Sequence, residues 1–87
     1  MMADSEKRYG FVGILVADRD DASPVIQDIL TDYGDIILGR MGLPHLSDNK
    51  LSIITLIVHA TTDQVGSLTG RLGRIPGVSV KSGLGKI

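Results

Sequence analysis

The sequence predicts an α+β fold, one four-stranded antiparallel sheet with two helices packed on a single side. Three observations predict it. Strand-like and helix-like stretches follow one another in the order β-α-β-β-α-β. Right-handed crossovers and antiparallel closure of that order give a ferredoxin-like sandwich with spatial strand order 4-1-3-2. The two strands this order puts at the centre, the first and the third, are the two whose residues are apolar or small on both faces. The length of 87 residues suits one small domain.

The elements follow in turn. The first strand spans Arg8 to Val16, with Tyr9, Phe11, Gly13 and Leu15 on one face and Gly10, Val12, Ile14 and Val16 on the other. Ala17 to Ala22 reads as an acidic connector. The first helix is expected to start at Ser23 as N-cap, with Pro24 at the first helical position, where its missing N–H is harmless. Val25, Ile26, Ile29, Leu30 and Tyr33 then share one stripe, and Gly34 is expected to end the helix in the left-handed conformation. The second strand, Ile36 to Leu43, carries Gly39, Arg40 and Gly42, a composition of an edge or a bulge. Pro44 to Lys50 reads as a polar loop. The third strand runs from Leu51 to His59 and is rich in β-branched residues.

Thr61 and Gln64 have the spacing of a capping box, and Val65, Leu68, Leu72 and Ile75 form the core stripe of the second helix. Gly66, Gly70 and Gly73 lie on another side of it; either something approaches closely there or the helix is a poorly optimised surface helix. Pro76-Gly77 stops it. The fourth strand is expected over Val78 to Ser82. Residues 1–7 are then a polar lead, 8–82 the domain and 83–87 a flexible tail.

Composition excludes several classes. There is no cysteine, hence no disulfide framework. No apolar run approaches the roughly 20 residues of a membrane span. Nine basic against ten acidic residues leave a net charge of -1, which argues against a bulk electrostatic grip on nucleic acid. The third strand also lacks the aromatics on which RNA-binding sheets of this topology stack bases. The N-terminus has no apolar stretch of a signal peptide, so the expected location is cytoplasmic. No nucleophile–base arrangement, cofactor motif or close metal-ligand spacing stands out; the chain is read as a non-enzyme without a cofactor.

One helical layer cannot cover a sheet that is apolar on both faces. The excess is expected to form an oligomer interface, as dimer or tetramer, drawn from Tyr9, Phe11, Val12, Ile14, Ile53, Ile54, Leu56 and Ile57, with the choice of face left open. Other residues are two-sided. His45 and His59 are weak metal candidates or simply a loop histidine and a strand-end histidine. Asp18, Asp20 and Asp21 are an acidic turn favouring a helix N-terminus, or part of a site. Arg40 meets a carboxylate or partner chain, or guards an edge strand.

Three segments carry a resemblance: Tyr9-Gly-Phe-Val-Gly-Ile-Leu-Val16, Tyr33-Gly-Asp-Ile-Ile-Leu-Gly-Arg-Met-Gly-Leu-Pro44, and the stretch from Thr61 to Val78 that contains Leu-Thr-Gly-Arg-Leu-Gly-Arg-Ile-Pro-Gly-Val. Together, over about Lys7 to Ser82, the chain resembles the regulators of the iron-only hydrogenase system. The resemblance implies an ACT-like fold, similar also to the C-terminal domain of the nickel-responsive repressor. It implies a system or transcriptional regulator that acts as an oligomeric module for a small-molecule effector or a protein partner. Two departures matter: the chain lacks the repressor's cysteine ligand, and its short lead leaves no room for a DNA-binding arm. By analogy with ACT domains, the expected ligand region joins Asp18, Arg19 and Asp20 with Arg40 and Gly42. The alternatives are a metal-sensing module using His45 or His59, or an ACT-type domain of another pathway that binds an amino-acid-like molecule.

Overall fold

The computed structural model describes residues 6–17, 19–48 and 50–86. Its elements are β1 (Arg8–Val16), α1 (Arg19–Asp32), β2 (Ile37–Leu46), β3 (Leu51–Ala60), α2 (Thr62–Gly73) and β4 (Val78–Leu84). The sheet order is β2-β3-β1-β4, the predicted 4-1-3-2 order read from the opposite edge, and every neighbouring pair is antiparallel. The fold class is therefore the expected ferredoxin-like sandwich.

Residues of one parity face the helices. Val12, Ile14 and Val16 of β1 and Leu56, Val58 and Ala60 of β3 are buried, together with Ala22, Ile26, Ile29 and Leu30 of α1 and Val65, Leu68 and Leu72 of α2. Ile14 lies opposite Ile54 and Val80, and Val12 opposite Leu56, so the core runs across the strands as continuous rows.

Several boundaries differ from expectation for physical reasons. Helix α1 begins at Arg19, which puts Pro24 inside it rather than at its start. Starting early adds Ala22 to the apolar stripe four residues before Ile26, and Ala22 is buried while Val25 is not. Gly34 does not take the left-handed conformation; among the described glycines only Gly77 has positive φ. Successive short turns end the helix instead, with Gly34 N–H donating to Thr31 O and Ile36 N–H to Tyr33 O.

Strand β2 does not stop at Leu43 but continues through Pro44 and His45 to Leu46. Pro44 is tolerated because β2 is an edge strand and the register shifts between Leu43 and Leu46. His45, Ser47 and Asp48 all adopt positive φ around this corner. Strand β4 continues past Ser82 to Leu84, so Gly83 and Leu84, expected in the tail, pair with Phe11 and Gly10.

Helix α2 matches the expectation closely. The Thr61 side chain accepts from the Gln64 N–H at 3.1 Å, and the Gln64 side chain accepts from the Thr61 N–H at 2.9 Å. Thr61→Ala is expected to cost about 1 kcal/mol, measured by urea unfolding; a change below about 0.3 kcal/mol would show that the box is not stabilising. Gly66, Gly70 and Gly73 are exposed, and a Cβ at any of them would meet open space, which answers the question of close approach within the chain.

Candidate functional site

A small hollow opens between α1 and the β2–β3 edge of the sheet. It measures about 240 Å³ and is lined by Ser23 and Gln27 of α1, by Arg40, Gly42, Leu43 and Pro44 of β2, and by Ser52, Ile53 and Ile54 of β3. Arg40 and Gly42 reach it because they lie opposite Leu56 and Ile54, on the helix-facing side of the sheet. Arg40 Nη2 donates to Gln27 Oε1 at 2.8 Å. That bond fixes the guanidinium at the mouth and leaves its other N–H groups for an acceptor. Arg40 has no ion-pair partner among the described residues.

Ser52 supplies the second feature. It is only 8% exposed, the one buried polar side chain in the core-facing set among the described residues. Its Oγ has no hydrogen-bond partner among them. A buried hydroxyl without a partner costs roughly 1–3 kcal/mol, which an acceptor entering the hollow would recover. Ser52 is not among the residues expected at a site. Its signal was present: one hydroxyl in a strand whose same-face neighbours are Ile54, Leu56, Val58 and Ala60.

The hollow thus brings together Arg40 and Gly42 of the expected ligand region. Ser52 lies opposite Val16, the last residue of β1, so the connector after β1 departs beside it. Asp18 lies outside the described residues; the backbone of Arg19 and Asp20 opens α1.

A larger hollow of about 490 Å³ lies between the start of α1 and the end of α2, with Ala22, Val25, Ile29 and Ile75 as apolar wall and Asp21, Arg71 and Arg74 around it. Arg71 is already engaged. It pairs with Asp32 at 3.2 Å and lies over the Tyr33 ring. Tyr33 in turn shares a 2.6 Å hydrogen bond with Ser67, and that bond, aided by Arg71, holds the phenol below its ordinary pKa. This cluster ties α1 to α2.

The two histidines do not converge. His45 sits at the β2 corner, near the Leu51 end of β3, whereas His59 is at the other end of that strand, roughly 25 Å away at about 3.4 Å per residue. The described residues contain no cluster of three His, Cys, Asp or Glu side chains able to hold a metal. Sharing of one ion by His45 and His59 is therefore ruled out by distance.

The residues expected at an oligomer interface lie on both faces of the sheet. Val12, Ile14 and Leu56 are fully buried under the helices, and Ile54, partly buried, packs against the same core. The connection path hides that parity. Tyr9, Phe11, Ile53 and Ile57 point the other way, joined by Leu15, Met41 and Leu43.

The profile of the TM1266-like family, described as "Iron-only hydrogenase system regulator, putative", matches residues 8–82. The chain belongs to this family. The TM1266 protein of Thermotoga maritima is 36% identical, with a TM-score of 0.86 over 93% of this chain and 100% of that one. The ACT domain of GTP pyrophosphokinase from Chlorobium tepidum shares the fold at 15% identity and a TM-score of 0.73, over 87% of this chain and 97% of that one. The nitrogen regulatory PII-like protein CPII of Thiomonas intermedia K12, in its apo form, shares it at 16% identity and 0.53, over 88% and 87%. No curated protein matches the chain. Membership of the TM1266-like family and the ACT-like fold support a regulatory module. No helix among the described residues is long and apolar enough to cross a membrane.

Proposed function

We propose that this TM1266-like chain is a non-enzymatic, homo-oligomeric regulatory module that binds a small anionic effector in the hollow between Arg40 and Ser52. The observation that carries this is the buried Ser52 hydroxyl, unpartnered among the described residues, in a hollow that a guanidinium with donors to spare also lines. Arg40 would take two oxygens of a carboxylate or phosphate through paired N–H donors, and Ser52 would donate to one of them. A volume of about 240 Å³ lies below the roughly 300–1,000 Å³ of drug-sized ligand sites and suits a compact acid. Gly42 keeps the space open: a Cβ there would stand 3.8 Å from Ile54 and point into the same side of the sheet.

A thermal-shift screen with phosphate, short mono- and dicarboxylates and amino acids tests this. A binding acid at 100 times its Kd should add about 2.7 kcal/mol to stability, a rise of roughly 10–20 °C in a domain of this size. Arg40→Ala is expected to abolish the rise, and Gly42→Val to block it by filling the hollow while leaving Arg40 in place. A shift that survives both substitutions would place the ligand elsewhere, and no shift with any of these acids would overturn the proposal.

A further inference from the structure

We infer that the uncovered sheet face seats a second copy of this chain, stacked strand over like strand about a two-fold axis that crosses the strands between two rows of residues. The inference rests on the oligomeric part of the proposed function and gives it a geometry. It does not involve the Arg40–Ser52 hollow.

The strand register defines the rows. Gly39, Ile57, Phe11 and Gly83 stand side by side across β2, β3, β1 and β4. Met41, Thr55, Gly13 and Lys81 form the next row, two residues along each strand. Both rows point away from the helices. On the first three strands each row pairs a large residue with a small one in the other row: Met41 with Gly39, Ile57 with Thr55, Phe11 with Gly13. A two-fold axis lying in the interface, perpendicular to the strands and midway between the rows, turns each row onto the other. Met41 of one copy then falls on Gly39 of the other, Phe11 on Gly13, and Ile57 on Thr55. The flanking rows agree, since Tyr9 and His59 fall on Leu15 and Ile53. Tyr9 and His59 are already stacked, with ring centres 4.3 Å apart. At the sheet edge Lys81 falls toward Gly83, where its ammonium can reach water.

The space for this exists in the single chain. A hollow of about 350 Å³ is lined by Gly39, Arg40, Met41, Thr55 and Ile57. A Cβ on Gly39 would meet nothing within 4 Å, so its own chain does not require glycine there. Met41, 65% exposed, is the most exposed large apolar side chain among the described residues and the right length to fill the same hollow in a partner.

Two features commit the face to a second copy. Among the described residues of the paired strands, Lys81 and His59 are the basic groups in its rows, Arg40 borders its hollow and no acidic group lies in those rows, so it offers little charge for a charged partner to recognise. Tyr9, Phe11, Leu15, Met41, Leu43 and Ile57 together present on the order of 600 Å² of exposed side chain, approaching the roughly 800 Å² per partner of a standard interface.

Sedimentation equilibrium of the full chain from about 1 µM to about 1 mM tests the geometry. The native chain should dimerise or form a higher assembly containing this dimer. Gly39→Met should weaken association roughly 100-fold, because symmetry makes the clash twice, while its monomer keeps a native circular dichroism spectrum. Met41→Gly should also weaken it. The double variant, Gly39→Met with Met41→Gly, exchanges knob and hole and should return association to within roughly tenfold of native. Association unchanged in Gly39→Met, or a double variant no better than the weaker single, would overturn the stacking while leaving an oligomer by another surface. A native chain that stays monomeric throughout would overturn the oligomeric reading itself.

Discussion

Replacing Leu68 with alanine is expected to lower the stability of the chain by about 3–5 kcal/mol. Leu68 is fully buried at the centre of the α2 stripe, between Val65 and Leu72, and faces the β1–β3 rows. Truncation removes its transfer free energy and leaves a cavity, because two helices anchored to one sheet cannot collapse far into it. A domain of 87 residues has a total stability of roughly 4–13 kcal/mol. The loss is therefore a large share of it, with a fall in Tm of roughly 12–40 °C. Val25→Ala removes two methyl groups from a position that is 46% exposed and should cost less than about 1 kcal/mol. Urea unfolding of the two variants checks the pair. A Leu68→Ala loss as small as that of Val25→Ala would show that the helical layer is not packed as described.

Gly10→Ala is expected to open the C-terminal half of β4. A Cβ at Gly10 would overlap the Gly83 carbonyl oxygen and come within 2.9 Å of Leu84 Cα. The obstacle is backbone, so a rotamer change cannot relieve it, and the strand must move. The cost is about 1–3 kcal/mol. Its signature is local: the Gly85 N–H, which donates to Tyr9 O at 2.7 Å, should lose hydrogen-exchange protection. Amides paired between β1 and β3 should keep theirs. Gly13→Ala in the same strand is the contrast, since its Cβ would stand 3.8 Å from the Lys81 carbonyl, an ordinary contact. Protection of Gly85 unchanged in Gly10→Ala would mean that β4 does not extend past Ser82.

Much of the architecture was legible in the residues. The β-α-β-β-α-β order, the central place of β1 and β3 and the Thr61–Gln64 box all follow from local periodicity and capping chemistry, which act within a few residues. What local chemistry could not settle involves competition with distant groups. Ser23-Pro24 has every mark of a helix start, yet burying Ala22 against the sheet carries α1 back to Arg19. Pro44 reads as a strand breaker, yet at a bulged edge its missing N–H has no ladder partner to lose. The candidate site shows the same division. Arg40 and Gly42 were legible as unusual residues in a strand. Ser52 was legible as one hydroxyl on an apolar strand face, but only the packing leaves it buried without a hydrogen-bond partner among the described residues.

By itself the sequence determined that this chain forms one sheet whose central strands are apolar on both sides, because a period of two assigns every residue to one of two faces. Only the tertiary structure decided which face the helices take. Both faces of β1 and β3 are hydrophobic enough to serve as a core, so the choice falls to the path of the two crossovers. They lay α1 and α2 over Val12, Ile14, Leu56 and Val58 and leave Phe11, Met41 and Ile57 facing outward.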